Sequence, residues 1–183
     1  LPESLDFFQG ACLGVPGLTA WLAVLGDGPV SGKCVLIQGA AGAVGQMCVQ
    51  VAIAHGAEVF ATVSGAEGAK AVAALGDVRT FNRHNQDISV GIAEATSGAG
   101  VDRIIEVDLA ANLSTDIAYL APHGMIASYS CSSNPAPTLP YYALADLGAR
   151  IRFVQGFRLT SSERAEAETA ITRLVQDRKS TRL

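Results

Sequence analysis

The sequence predicts an α/β domain, a doubly wound parallel sheet with helices on both faces in three αβα layers. Three observations predict it. Short runs of small aliphatic residues alternate with helical stretches along most of the chain. Glycine is abundant, at 19 residues, while aromatics make up 6%, which suits strands covered closely from both sides. A glycine-rich turn joins the first strand of the series to its first helix.

The elements follow in order. Leu5 to Leu25 reads as one or two helices broken at Pro16-Gly17. Cys34 to Gln38 is an apolar run, hence a buried strand. Val44 to His55 places Val44, Met47, Cys48, Val51 and Ala52 on one helical stripe, and Gly56 ends that helix. Glu58–Val63 is a second strand and Ala66–Leu75 a second helix, closed by Gly76. Arg79–Phe81 is a short third strand with Ile88–Thr96 as its return helix. Val101–Val107, helix Ala110–Leu120 and strand Gly124–Tyr129 continue the alternation. Ser132–Pro140, with three prolines, is a loop. Ala149–Gln155 reads as a sixth strand, and Ser161–Gln176 as a final helix opened by Ser-x-Glu. Strand–helix–strand units of this spacing imply right-handed crossovers and a parallel sheet.

Composition limits the function classes. Hydrophobic residues make up 49% and charged residues 16%, ample apolar surface to offset the entropy of folding. No apolar run reaches membrane-spanning length. Cys12, Cys34, Cys48 and Cys131 form no C-x-x-C pair and have no histidine at ligand spacing, so buried reduced thiols are expected and no metal site. With no secretory signal in view, a reducing cytoplasmic setting is expected. The net charge of −4 is uneven: residues 1–149 hold 5 basic and 13 acidic groups, residues 150–183 hold 8 and 4. The acidic bulk argues against nucleic acid as the main partner, and the basic C-terminal part reads as a solvated helix face. The chain opens at Leu1 and closes in the polar stretch Asp177–Leu183, and both ends are expected to be cut.

Gly39-Ala-Ala-Gly42-Ala43-Val44-Gly45 carries the chemistry. Its glycines, three apart between a strand and a helix, serve a tight turn, close backbone approach to a pyrophosphate and close helix–strand packing. The helix start offers free N–H groups and partial positive charge to phosphates. This is a Rossmann arrangement, written G-x-x-G-x-x-G rather than G-x-G-x-x-G. No G-K-[ST] follows, so ATP hydrolysis is disfavoured. The end of the second strand, Thr62-Val63-Ser64-Gly65, lacks the acid that usually holds a ribose hydroxyl pair. A 2′-phosphate needs cationic or hydroxyl partners, and Ser64, Lys70 and Arg83 are the nearest candidates. NADPH is therefore expected over NADH. His55, His84 and His123 sit at a helix end and in polar turns, and no residue is assigned a catalytic role.

Several segments together resemble one family. They are Pro16-Gly-Leu-Thr-Ala-Trp21, the Ser31–Ile37 run, the Gly39–Gly45 loop, Gly98-Ala-Gly-Val-Asp102 and Pro122-His-Gly124. They look like the zinc-free quinone reductase branch of the medium-chain dehydrogenase/reductase superfamily. Glu67-Gly68-x-Lys70, Thr80-Phe-Asn82, and Glu106 followed by Asn112-Leu-Ser-x-Asp116 are similar to zeta-crystallin-like NADPH:quinone reductases. The likeness runs from about Pro2 to Gln176. It implies that Thr19 reaches the nicotinamide, that Gly42, Ala43 and Val44 hold the pyrophosphate, and that Ser64, Lys70 and Arg83 meet the adenosine ribose and its phosphate. It further implies that Val107, Tyr129 and Ser130 line the nicotinamide side. Gly68 stands where several relatives carry lysine and Arg83 where others show tyrosine, which shifts phosphate binding onto Arg83. Asp108 and Ser130 replace smaller residues.

The resemblance also implies an organisation. Residues 1–30 would lead in from a substrate domain, residues 31–160 would form the dinucleotide-binding domain, and residues 161–183 a C-terminal helix and tail. The implied activity is NADPH-dependent hydride transfer to a quinone or similar conjugated carbonyl, with these residues alone inactive and a homodimer formed through the sheet edge. The rivals are an enoyl-reductase module of a larger synthase and an RNA-binding or non-catalytic crystallin-like protein.

Overall fold

The structure, a computed structural model, describes residue 10 and residues 13–176. Part of the helical region expected over Leu5–Leu25, together with Cys12 and the tail Asp177–Leu183, lies outside the described residues. The first full helix is α1 (Val15–Leu25), with Gly14 as its N-cap and proline in its first turn. Helical Leu13 and α1 are separated by a turn at Gly14, so the break expected at Pro16-Gly17 falls just before it. A proline in the first turn lacks only an N–H that has no helical acceptor, so it starts the helix.

Six strands alternate with the remaining helices. They are β1 (Cys34–Ile37), α2 (Ala43–Ala54), β2 (Glu58–Val63), α3 (Ala66–Ala73), β3 (Val78–Asn82), α4 (Ile88–Ala95), β4 (Val101–Glu106), α5 (Leu109–Tyr119), β5 (Leu120–Ser128), α6 (Tyr141–Asp146), β6 (Arg150–Phe153) and α7 (Ser161–Gln176). The sheet order is β3-β2-β1-β4-β5-β6, and every neighbouring pair is parallel. The predicted doubly wound sheet is what the chain forms.

Two hydrophobic clusters fill the spaces either side of the sheet. One joins α1, α2 and α7 to it through residues such as Leu18, Met47, Val51 and Ile171. The other joins α4 and α5 through Ile92, Leu109 and Leu113 to Phe60, Ile104 and Ile126. Val35, Leu36 and Ile37 of β1 are fully buried, because a central parallel strand is covered on both faces. Arg103 is buried too, and its guanidinium donates to carbonyls at the end of α1, those of Val24, Asp27 and Gly28. Those carbonyls have no helical N–H partners, so one side chain satisfies a helix end and ties α1 to β4.

The elements differ most from the sequence expectation at β5, at α6 and at the start of α7. β5 starts at Leu120, not Gly124, and runs through Pro122-His123. Val101 pairs with Leu120 but Arg103 with Met125, so a bulge absorbs the residues that resembled a turn, with His123 at φ 63°. α6 had no counterpart in the sequence reading, since none of its residues is buried. α7 is capped by Thr160 rather than by Ser161-x-Glu: Thr160 N–H donates to Glu163 at 2.8 Å, and Glu163 N–H returns to Thr160 Oγ1 at 3.3 Å. Of the cysteines, Cys48 is buried as expected, while Cys34 and Cys131 are only partly so, and all three are free thiols.

Candidate functional site

In a parallel doubly wound sheet every strand delivers its C-terminal end to the same edge. β1 and β4 are neighbours whose helices depart to opposite faces, which leaves a crevice between them. A cavity of about 630 Å³ occupies that crevice, within the size range of small-molecule sites. Gln38, Gly39, Ala41 and Gly42 form its floor after β1. Thr62, Val63 and Ser64 close one side, with Arg83, Gln86, Asp87 and Ile88 beyond β3. Val107, Ala111, Asn112, Thr115 and Tyr119 close the other.

The glycine loop is rigid. Gly39 has φ 64°, a conformation costly for any residue with a side chain, and its N–H donates to Thr62 Oγ1 at 3.0 Å. Ala40 N–H donates to the Thr62 carbonyl, and Gln46 Nε2 to the Ala41 carbonyl. Gly45 is buried under the loop, where a Cβ would collide with the backbone of Gly39 and Ala40. Gly42 is exposed, and a Cβ there would meet only the Gly39 carbonyl, at 3.4 Å. Gly42 is also the N-cap of α2, and no side chain caps that helix. Unpaired N–H groups and the positive helix end therefore face the cavity mouth.

Beyond the loop the lining is polar. Ser64 and Arg83 are exposed at the ends of β2 and β3, and Arg83 N–H donates to the Val63 carbonyl, which holds the two strand ends together. Asp87 caps α4 through the N–H groups of Ser89 and Val90, and its hydrogen bond from Ser89 holds its carboxyl below the usual range. Glu106 and Asp116 are fully buried behind Asn112 and Gln38. Asp108 turns its carboxylate to Ser132 Oγ at 3.1 Å and Ser133 Oγ at 2.8 Å, pinning the loop after β5.

Of the residues expected from sequence, the cavity brings together Gly39, Gly42, Ser64, Arg83 and Val107. Ala43, Val44 and Gly45 form the first turn of α2 behind it. Lys70 is exposed on α3 and does not line the cavity. Thr19 does not either: it is buried in α1, and a Cβ on Gly156 would lie 2.7 Å from its hydroxyl. Tyr129 and Ser130 follow β5. Tyr129 N–H donates to the Glu106 carbonyl, and burial pushes its phenol well up. The sequence reading gave no role to Gln38, Thr62, Asn112 or Gln86, which line the cavity; for Gln38 and Thr62 the signal was polarity at strand ends, whereas Asn112 on α5 and Gln86 in the loop after β3 carried none. Among the described residues no three of His, Cys, Asp and Glu stand together so as to hold a metal ion. The residues present do not fit zinc, and zinc enters no step proposed below.

A family model described as zinc-binding dehydrogenase matches residues 43–176. Quinone oxidoreductase of Rattus norvegicus is 38% identical over 144 residues, covering 76% of this chain and 44% of that protein. A highly reducing polyketide synthase of Didymella fabae is 32% identical over 127 residues, 68% of this chain and 7% of that protein. The crystal structure of a 2-haloacrylate reductase superposes with a TM-score of 0.86 at 29% identity, covering 98% of this chain and 58% of that one. The chain thus spans less than half the length of the rat relative it matches. It belongs to the zinc-binding dehydrogenase family, in the quinone reductase branch of the medium-chain dehydrogenase/reductase superfamily.

Proposed function

We propose that these residues form the NADPH-binding domain of a reductase that passes hydride to a quinone or a similar conjugated carbonyl. The observation that carries this is the cavity at the carboxyl ends of β1, β2 and β4. It combines a bare Gly42 at an uncapped helix start with Ser64 and Arg83, and has no acid at the end of β2. The residues fit a dinucleotide. Gly42, whose own N–H donates to the Gly39 carbonyl, would leave room for the pyrophosphate, and the first turn of α2, Ala43 and Val44, would take it on backbone N–H groups. Ser64 and Arg83 would hold the 2′-phosphate by hydroxyl and guanidinium hydrogen bonds. Val107 would pack on the nicotinamide side. By the resemblance Lys70 would lie toward the adenosine phosphate, and Thr19, Tyr129 and Ser130 toward the nicotinamide.

The bound cofactor supplies the hydride, and the protein supplies orientation and exclusion of water. An acceptor would sit between this domain and a second wall: residues 1–30 would lead in from that substrate domain, 31–160 would bind cofactor, and 161–183 would form a C-terminal helix and tail. These residues alone would bind NADPH without turnover, because nothing would hold an acceptor at the near-attack distance of about 3–3.5 Å. The exposed edge strand β6 would pair across a two-fold axis to give a homodimer.

An enoyl-reductase module is the second reading, favoured by the match to the fungal polyketide synthase. One assay separates the possibilities: NADPH oxidation with a simple quinone or an enoyl thioester, for this chain and for one extended at both ends. The expected result is quinone-dependent turnover by the extended chain alone. Robust turnover by the 183 residues would refute the division of labour, and exclusive use of the enoyl thioester would favour the second reading.

A further inference from the structure

Glu106 ends β4 and Asp116 lies within α5, and neither exposes any surface. Each has one satisfied oxygen. Glu106 Oε1 accepts from Asn112 Nδ2 at 2.9 Å and from the Asp108 N–H, while Asp116 Oδ1 accepts from Gln38 Nε2 at 2.8 Å. The other two oxygens, Glu106 Oε2 and Asp116 Oδ2, are buried without a hydrogen-bond donor, and Asp116 lies one helical turn after Asn112, the residue that binds Glu106, so the two carboxyls are neighbours. Neither carboxyl takes part in the two ion pairs among the described residues, Arg79–Glu94 and Arg152–Asp27. The titratable groups facing the pair are the phenols of Tyr119 and Tyr129, both pushed up first by burial and then by nearby groups that include these carboxylates. Cys48 stands beside Tyr129, its thiol also pushed up by burial, and the Asp108 carboxylate turns away to Ser132 and Ser133.

Two neighbouring buried carboxylates with no cation beside them cannot both stay ionised, and one proton between them satisfies both orphan oxygens at once. From Asp116 a directional chain runs to the glycine loop. Gln38 gives its Nε2 to Asp116, so its Oε1 faces Thr62 and accepts that hydroxyl at 2.7 Å. With its proton spent on Gln38, Thr62 Oγ1 accepts from the Gly39 N–H. We infer that Glu106 and Asp116 are a positioning pair that shares one proton and, through Gln38 and Thr62, fixes the backbone of Gly39 at the head of the phosphate loop. The part that concerns cofactor rests on the function proposed above; the shared proton does not. Burial first, and the neighbouring Glu106 second, push the Asp116 carboxyl far above its ordinary range. An acid whose folded value is raised contributes stability that is complete below its unfolded value and is lost as pH rises toward the folded one.

Asp116→Asn tests this, since asparagine keeps an oxygen for Gln38 and offers an N–H to Glu106 Oε2 at every pH. Three measurements apply to wild type, Asp116→Asn and Asp116→Ala: infrared absorption of a protonated carboxyl, melting temperature against pH, and NADPH titration by fluorescence. The wild type should show the protonated-carboxyl band at neutral pH and Asp116→Asn should lack it. Between about pH 5 and pH 9 the wild type should lose melting temperature that Asp116→Asn does not lose. NADPH affinity should stay within about twofold in Asp116→Asn and fall about tenfold or more in Asp116→Ala. A wild type without the band, or an Asp116→Asn protein as impaired as Asp116→Ala, overturns the inference. If Asp116→Ala does not fold, the band and the pH profile of the other two proteins decide. If both show the expected band and profile but neither binds NADPH, the proton-sharing pair stands and the cofactor reading fails.

Discussion

Gly45 packs against the carbonyl of Gly39: a Cβ on Gly45 would lie 2.5 Å from that oxygen and 2.7 Å from the Cα of Ala40. At Gly42, three residues earlier, a Cβ would have room, since its nearest neighbour would stand at 3.4 Å. The two glycines therefore do different work, one in packing the helix on the loop and one in leaving the cavity mouth open. Gly45→Ala should lower stability by about 1–3 kcal/mol through overpacking, read as a drop in melting temperature. Gly42→Val should fold with near wild-type stability and lose dinucleotide binding. A Gly42→Val protein that binds NADPH normally would show that the phosphates do not approach this backbone.

The acid-free end of β2 sets the second expectation. Ser64→Asp puts a carboxylate beside the proposed 2′-phosphate and should weaken NADPH about tenfold, equal to about 1.4 kcal/mol. Arg83→Ala removes a charge-assisted partner and should cost about 1.5–3 kcal/mol of NADPH affinity while leaving NADH nearly untouched. Equal losses for both dinucleotides would mean that Arg83 does not face the 2′ position.

The sheet layout was legible because glycine marks where strands and helices meet and apolar runs mark buried strands. The glycine loop, Ser64, Arg83 and Val107 could be read as neighbours because parallel strands bring their C-terminal ends together. α6 was not legible: it is six residues long, none is fully buried and only Leu144 packs against the core, so it carries no apolar period. The bulge in β5 was hidden because Pro-His-Gly reads as a turn, and only pairing with β4 makes it strand. Glu106 and Asp116 were visible as part of a family likeness, but a strand end and a helix face ten positions apart show their contact only in three dimensions. Thr19 was placed by resemblance and Lys70 by its charge and its nearness in sequence to the end of β2, and the cavity includes neither.

Association should occur through β6. Phe153 on that strand and Phe157 just after it are each 70% exposed, and among the described residues β6 pairs only with β5. An edge with exposed aromatics calls for a partner. Light scattering should give a dimer for the wild type, and Phe153→Asp with Phe157→Asp should give a monomer of unchanged fold. A wild-type monomer at high concentration would remove the sheet-edge dimer.

The Cys34 thiol donates to the Glu58 carboxylate at 3.7 Å, and burial followed by that negative charge pushes its pKa up to about 11. The thiolate is the reactive form, so alkylation of Cys34 should be slow at neutral pH and accelerate as pH rises toward that value. Mass spectrometry of iodoacetamide-treated protein reads this directly. Glu58→Gln should speed the reaction by removing the charge, and rapid neutral-pH alkylation of the wild type would contradict the assignment.

The proposed function stands or falls on dinucleotide recognition at the end of β1. Titration of the 183-residue protein with NADPH and with NADH, followed by fluorescence, measures it without any acceptor. Saturable NADPH binding, at least about tenfold tighter than NADH and abolished by Gly42→Val, is the predicted result. Absence of binding by either dinucleotide, or binding of both that Gly42→Val leaves unchanged, would contradict it.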